Sequence, residues 1–321
     1  MKQTVLVLGA NGRFGRATTE AFAAAGWRVL AQVRRAPAAG WPPGAEPVAI
    51  GAFDVPGLVA SARGAAVVVN GLNPIYTRWE KDAIPLADTA QAVAEGLGAT
   101  LMLPGNVYNF GAGMPALLEE TTSQRPTTSK GRIRVAIEQT MRDASARGLR
   151  SIVVRAGDFY GGRGRGSWLD LLIAKSLAGG VATWPGPLEV EHAWAYLPDL
   201  ARACVQLAEQ RHRLDAFEVV HFPGHAPTGR QFVAVLDDIA GRPLRLKSAP
   251  WLAMRLLSPV MPMFKALSEM RYLWQVPHRV SGERLQSIIG PLGATPFPQA
   301  LAQALSELDL VDRPRGLVGA G

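Results

Sequence analysis

The first half of the chain alternates short, continuous apolar runs with longer stretches of helical period. "TVLVLG" from Thr4, "WRVLAQVR" from Trp27, "AAVVVNGLNP" from Ala65 and "ATLMLPGNV" from Ala99 are rich in aliphatic residues and have the length of strands. Runs that are apolar at successive positions, rather than at alternate ones, belong to strands buried on both faces, which implies a parallel sheet with helices on each side. "RFGRATTEAFAAAG" and "RIRVAIEQTMRDASARG" supply helical segments, and "LRSIVVRAGDFYG" follows the second of them as another buried strand. Strand–helix–strand units in this order predict an α/β fold, a Rossmann-type doubly wound parallel sheet.

After Gly161 the regularity ends. "GGRGRGS" marks a loop and "WPGPLE" a turn, then "AWAYLPDLARACVQLAEQ" predicts a helix N-capped by Asp199, and "FEVVHFPG" a further strand. The remainder, rich in Pro, Leu, Met and Trp, predicts a smaller, mainly helical C-terminal subdomain. We therefore divide the chain into a Rossmann domain over 1–160, completed by about 190–224, and a substrate-binding cap made of 161–189 and 225–321.

With 321 residues and 48% hydrophobic content, the chain can bury a large core. "MKQTVLVLGANG" has one lysine and a short apolar run that meets glycine, so it reads as a buried strand rather than a signal peptide. The longest apolar stretch, "WLAMRLLSPVMPMFKALSEM" from Trp251, is interrupted by Arg255, Pro259, Pro262 and Lys265, and no membrane partner is expected. A single cysteine, Cys204, in the apolar run "LARACVQLA", fits a buried helix residue in a reducing, cytoplasmic setting. The formal charge of +8 comes from arginines scattered among Ala, Gly and Pro, without a block of interleaved aromatics. That pattern predicts a diffuse basic surface and no nucleic-acid partner. The five histidines show no close pair at ligand spacing, so no metal is expected.

The segment "VLVLGANGRFG" sets Gly9, Gly12 and Gly15 at the turn between the first strand and the first helix. Glycine permits the tight turn, lets the backbone approach a diphosphate and allows close helix-to-strand packing, while the helix N-terminus supplies partial positive charge. This is a dinucleotide site by position as well as by spacing. The second strand ends in "AQVRRAP", with Arg34 and Arg35 and no carboxylate to hold ribose hydroxyls. Arginines there suit a 2′-phosphate, and Arg13 offers a further cation, so NADP is favoured over NAD.

These residues, with "VVVNGLNP", "PGNVYNFG", the helix from Ser129 and "AWAYLPDLARA", resemble the extended and atypical branches of the short-chain dehydrogenase/reductase superfamily. The resemblance places cofactor contacts at Gly9, Asn11, Gly12, Arg13, Phe14, Gly15, Arg34, Arg35, Asn73, Pro104, Lys130, Gly157 and Phe159. The usual Ser–Tyr–Lys triad is missing: its positions fall near Pro104, on Lys130 and on Arg134. The spacing of Lys130, Arg134 and Glu138 is similar to that of the isoflavone reductase-like and phenylcoumaran benzylic ether reductase-like enzymes, where the lysine is the general acid/base. Lysine ordinarily titrates near about 10.4, and burial beside a cation such as Arg134 lowers it toward a useful range. A solvated face with an Arg134–Glu138 pair, or contact with the nicotinamide ribose, would equally explain the lysine. Tyr108 is the second candidate proton donor and Asn106 a candidate to polarise a substrate oxygen, or a turn-forming residue. Asp54 stands two or three places later than the aspartate that meets adenine in many relatives.

In the sugar-nucleotide members an arginine precedes the aspartate corresponding to Asp199 by seven residues, and here that position is His192. His192, Tyr160 and Trp168 are the candidate substrate residues. The tryptophans of the cap, if turned toward the cofactor, suit a small apolar or aromatic carbonyl compound. The leading expectation is thus an NADP-dependent oxidoreductase acting on such a small molecule. The alternatives are a nucleotide-sugar epimerase or dehydratase, and a redox sensor similar to the nitrogen-metabolite-repression regulators. The resemblance also implies a homodimer.

Overall fold

All the apolar runs of the first half become neighbours in one sheet. The computed structural model describes residues 2–35 and 40–311; the last ten positions of the expected cap, 312–321, lie outside the described residues. In chain order the elements are β1 (Thr4–Leu8), α1 (Arg13–Ala24), β2 (Arg28–Val33), β3 (Ala45–Ala49), α2 (Val55–Ser61), β4 (Val67–Asn70), α3 (Trp79–Leu97) and β5 (Thr100–Asn106). Then come β6 (Leu117–Leu118), α4 (Ser129–Ser145), β7 (Ser151–Ala156), β8 (Asp158–Tyr160), β9 (Val181–Trp184), β10 (Trp194–Tyr196), α5 (Leu197–Gln210) and β11 (Phe217–Phe222). The chain finishes with α6 (Gly229–Ala240), β12 (Arg245–Ser248), α7 (Trp251–Leu257), α8 (Pro262–Glu269), β13 (Arg279–Val280), α9 (Glu283–Ile289) and α10 (Phe297–Glu307).

The main sheet has seven strands in the order β3-β2-β1-β4-β5-β7-β11, and every pairing is parallel. Successive residues of each strand go to opposite faces: Val5 and Val7 join α1 and α5 in one core, while Leu6 and Leu8 join α2, α3 and α4 in the other. This two-sided burial is the reason the strands carry no polar alternation. The order of strands reverses between β1 and β4, and the crevice outside their carboxyl ends is where a doubly wound sheet accepts ligands.

The cap has its own core, in which Trp184, Trp194, Trp274 and Phe232 pack with Leu301 and Leu305 of α10. It contains more strand than its composition suggested. A two-stranded parallel ladder joins β9 to β12 within it, a second joins its β13 to β6 of the first domain, and a third, β8 with β10, lies in the Rossmann portion. One part of the expected cap belongs elsewhere: α9 packs on α5 and β11, and its Leu285 is buried in the sheet core. Asp199 does not cap α5. It lies inside the first turn and accepts hydrogen bonds from Thr295 N (2.7 Å) and Oγ1 (2.8 Å), tying the segment before α10 to the Rossmann body. Cys204 is buried in α5, and burial pushes its thiol up to about 12, so it stays a protonated packing residue.

Behind β5 and β7 lies a buried charge cluster. Glu138 of α4 does not pair with Arg134; it binds Arg155 of β7 at 2.6 Å and accepts a bond from Asn109 Nδ2 at 2.9 Å. His221 of β11 completes the row, with Nδ1 facing the Leu118 carbonyl at 3.2 Å and Nε2 facing Arg155 Nη1 at 3.4 Å. Nδ1 therefore donates and Nε2 accepts, which is the neutral ring. Burial, then the charge of Arg155, push His221 down to about 4; burial and the neighbouring His192 push His278 down to about 3.

Two outcomes follow for stability. Glu138→Ala strands a buried guanidinium and should cost about 3–5 kcal/mol in urea unfolding, an effect that Glu138→Gln relieves in part. His221 is neutral when folded yet free to protonate when unfolded, so the unfolded chain binds more protons between about pH 4 and the ordinary value of 6.5. Stability should therefore fall as pH is lowered through that window, and His221→Asn should flatten the slope in melts recorded from pH 7 to pH 4.

Candidate functional site

At the strand reversal the ends of β1 and β4 pass in contact through glycine. A Cβ on Gly9, whose φ is +66°, would lie 2.7 Å from Gly71 O, and one on Gly15 would lie 2.3 Å from Gly9 O. Gly71 is equally constrained, since its Cβ would meet Leu8 O at 2.6 Å. The loop is fixed from below by Gln32 of β2, buried, whose Oε1 accepts from Gly9 N at 2.8 Å and whose Nε2 donates to Ile50 O at 2.7 Å. Gly12 and Asn11 remain exposed at the tip. Helix α1 starts at Gly12 without a side-chain cap, unlike α2, α4 and α6, which have Asp54, Thr128 and Thr228. Uncapped N–H groups behind a side-chain-free approach fit the diphosphate of a dinucleotide.

The other expected cofactor residues are distributed around this loop. Arg34 and Arg35 are exposed just beyond β2, and Asn73 is exposed just beyond β4. Phe14 stacks on Phe159 at 6.2 Å between ring centroids. Arg13 turns away from β2: its Nη2 donates to Gly161 O at 2.8 Å, on the β7 side of the sheet, so it supports the loop after β8 rather than joining Arg34 and Arg35. Burial pushes its guanidinium below the ordinary arginine value. Gly157 allows β8 to pass β10, since a Cβ there would lie 2.2 Å from Ala193 O. Asp54 is exposed and caps α2, its Oδ1 accepting from Gly57 N at 3.0 Å.

Across the sheet edge, α4 begins under the cap. Thr128 caps it by accepting from Gly131 N at 3.1 Å, and Lys130 is 4% exposed. Its Nζ lies 4.7 Å from the centroid of the Tyr76 ring and 2.5 Å from Glu269 Oε2, at the end of α8. The other oxygen of that carboxylate accepts from Ser129 N at 2.7 Å and Lys130 N at 3.3 Å. Burial raises Glu269, but the hydrogen bond and charge of Lys130 outweigh it and hold the carboxyl below its usual range. Lys130 is thus neither a solvated surface residue nor an isolated amine: its ammonium is matched by a carboxylate of the cap. Arg134, one turn further, donates to Pro104 O at 3.2 Å and stacks over Trp79 at 4.8 Å. Burial lowers its guanidinium too.

Three phenols close the same space. Tyr108, in the turn over Val107–Phe110, and Tyr76, after β4, stand side by side, and Tyr272 approaches from the turn over Arg271–Trp274. Burial first, and then charges including Asp158, push all three above the ordinary tyrosine value, so they remain neutral donors. Among the described residues the hydroxyls of Tyr76 and Tyr272, though buried, have no hydrogen-bond partner. Groups of this kind await polar atoms. Tyr76, Tyr272 and Glu269 gave no signal in the sequence, because nothing local ties them to Lys130. Asn106 spends its side-chain oxygen on Tyr108 N at 3.1 Å and is a turn-former.

The expected substrate residues separate. His192 is buried, stacked on Trp274 at 4.0 Å, with Nδ1 on Leu273 O at 3.1 Å and Nε2 on Asp158 Oδ2 at 2.9 Å. It orients Asp158, the group that borders the phenols, and has no surface of its own to offer a ligand. Tyr160 is withdrawn into the cap core by a 2.8 Å bond to His225 Nδ1. Trp168 packs on Trp251 and Trp274. The tryptophans thus satisfy one another and do not build an apolar cavity facing Lys130.

Among the described residues no cluster of His, Cys, Asp or Glu has metal-site geometry, and no helix is long and apolar enough to cross a membrane. No family model matches the chain, and neither does any curated protein sequence. Solved structures do. MoeE5 in complex with UDP-glucose and NAD shares 18% identity at a TM-score of 0.75, over 95% of this chain and 98% of that one. UDP-glucose 4-epimerase of Thermotoga maritima, with UDP-glucose, shares 15% at 0.75, over 96% and 99%. TunA, an NAD-dependent NDP-hexosamine 5,6-dehydratase of tunicamycin biosynthesis, shares 16% at 0.72, over 97% and 99%. Across nearly its whole length, then, the chain shares the α/β, Rossmann-type fold of these solved structures.

Proposed function

We propose that the protein is an NADP(H)-dependent enzyme of hydride transfer acting on a hydroxylated, sugar-like carbonyl or alcohol, with Lys130 as the proton-handling residue. The observation that carries the reading is the enclosed set of polar groups, Lys130, Glu269 and three neutral phenols, gathered beyond the carboxyl ends of β4 and β5, the strands that continue the sheet from β1. A lining of this chemistry matches a ligand with several hydroxyls better than the apolar compound suggested by tryptophan content. The neighbours bound to UDP-glucose favour the same substrate class.

The nicotinamide, when bound, supplies or accepts the hydride. The chain's own residues do the rest. Lys130 holds a proton at Nζ and delivers it to the substrate oxygen as the carbonyl is reduced, or takes it up in the reverse direction. Glu269 fixes the amine by its 2.5 Å contact, and Arg134 anchors the strand end at Pro104 O. Tyr76, Tyr108 and Tyr272 donate to substrate hydroxyls. The N–H groups that open α1 would hold the diphosphate, with Gly9, Gly15 and Gly71 leaving room for it. Arg34 and Arg35, with no acid beside them in "QVRRAP", support a 2′-phosphate, whereas MoeE5 was solved with NAD.

Titration of the purified protein should show NADPH binding more tightly than NADH, and the double variant Arg34→Ala/Arg35→Ala should lose about tenfold in NADPH affinity, roughly 1.4 kcal/mol, with NADH unchanged. Equal affinities in the wild type count against the phosphate reading. Lys130→Met should keep NADPH binding and lower turnover by about 10²–10⁴, followed at the nicotinamide absorbance with UDP-sugars and simple keto-sugars as substrates. Cofactor binding with no hydride transfer across that panel would leave the redox-sensor reading instead.

A further inference from the structure

The interrupted apolar stretch from Trp251 folds as a helical hairpin, α7 and α8, and it buries only part of its apolar surface. Met254 and Ala266 point into the cap. Leu252, Leu256 and Val260 point out, at 66%, 69% and 76% exposure, joined by Leu257, Met261 and Met263 and, on β12, by Leu246. Scattered exposed leucines are ordinary on any protein, but seven large apolar side chains exposed within 18 consecutive residues are a concentration that points to a partner.

The charge pattern identifies the partner. From Gly241 to Ser268 there is no Asp or Glu, while Arg242, Arg245, Lys247, Arg255 and Lys265 are all present and exposed. Among the described residues none of these five forms an ion pair. The carboxylate that ends the hairpin, Glu269, is turned inward on Lys130. Elsewhere basic and acidic side chains are mixed, 34 to 26 over the chain. A second copy of this chain would bring the same cations face to face across the patch, whereas a phospholipid surface supplies negative charge where the cations stand and hydrocarbon where the leucines and methionines stand. We infer that the α7–α8 hairpin, with β12, docks the protein on an anionic lipid bilayer, lying in the interface without spanning it. Pro259 and Pro262 set the turn that presents Val260 and Met261 at its tip.

Co-sedimentation of the full chain with phosphatidylglycerol–phosphatidylcholine vesicles tests this, with pure phosphatidylcholine vesicles and added salt as further arms. The wild type should bind the anionic vesicles, bind the neutral ones weakly, and lose affinity as salt is raised. Leu256→Glu/Val260→Glu should weaken binding to anionic vesicles by about tenfold or more, and Arg255→Gln/Lys265→Gln should weaken it while lowering the salt dependence. All four side chains are exposed, so circular dichroism should report an unchanged fold. Equal binding to the two vesicle types, or wild-type affinity in the Leu256→Glu/Val260→Glu variant, would overturn the proposal. A wild-type dimer that the apolar variant splits, with neither form binding vesicles, would assign the face to a second copy of the chain and overturn it too.

Discussion

A single carboxylate, that of Glu269, ties the two halves of the site together. One oxygen caps the backbone N–H groups that open α4, and the other accepts from Lys130 Nζ, a buried amine that has no other carboxylate partner among the described residues. Removing the contact would release the cap from α4 as well as the amine from its position, because Glu269 is the last residue of α8 and Tyr272 follows in the next turn. Lys130 and the enclosure around it are therefore one unit, joined through Glu269.

On the opposite side of the strand reversal the constraint is steric rather than electrostatic. Gly9, Gly15 and Gly71 let two strand ends and a helix approach within backbone contact, and Gln32 locks that approach by bridging Gly9 to Ile50. The base of the loop is thus held by backbone contact on one side and by the Gln32 bridge on the other. Behind both regions, Glu138, Arg155 and His221 join α4, β7 and β11 through the core and keep the start of α4 aligned with the strand ends.

Much of the fold was legible in the sequence because its determinants are local. The continuous apolar runs gave the parallel strands, the glycine spacing gave the first turn, and both survive intact in the structure. What failed to read out depends on contacts distant along the chain. Lys130 and Glu269 are 139 residues apart, and no periodicity connects them. Glu138 lies four residues from Arg134 on one helix face, yet pairs with Arg155 because the strand beside it offers a buried, bidentate partner. Tyr160 and His192 are candidate substrate contacts by sequence, and hydrogen bonds to His225 and Asp158 hold them inside. The abundance of tryptophan suggested an apolar cavity, but composition does not tell a ring packed on other rings from one lining a site. Asp199 likewise resembled a cap from its place ahead of the apolar run, and its real partner, Thr295, lies 96 residues on.

The most direct test of the account is a crystal structure with NADPH. It predicts the diphosphate on the N-terminus of α1 and the nicotinamide C4 bordered by Lys130 Nζ, with a substrate oxygen able to lie within about 2.6–3.2 Å of that amine. A nicotinamide ring held elsewhere, with Lys130 still shut beneath Glu269 and screened from the cofactor, would contradict it.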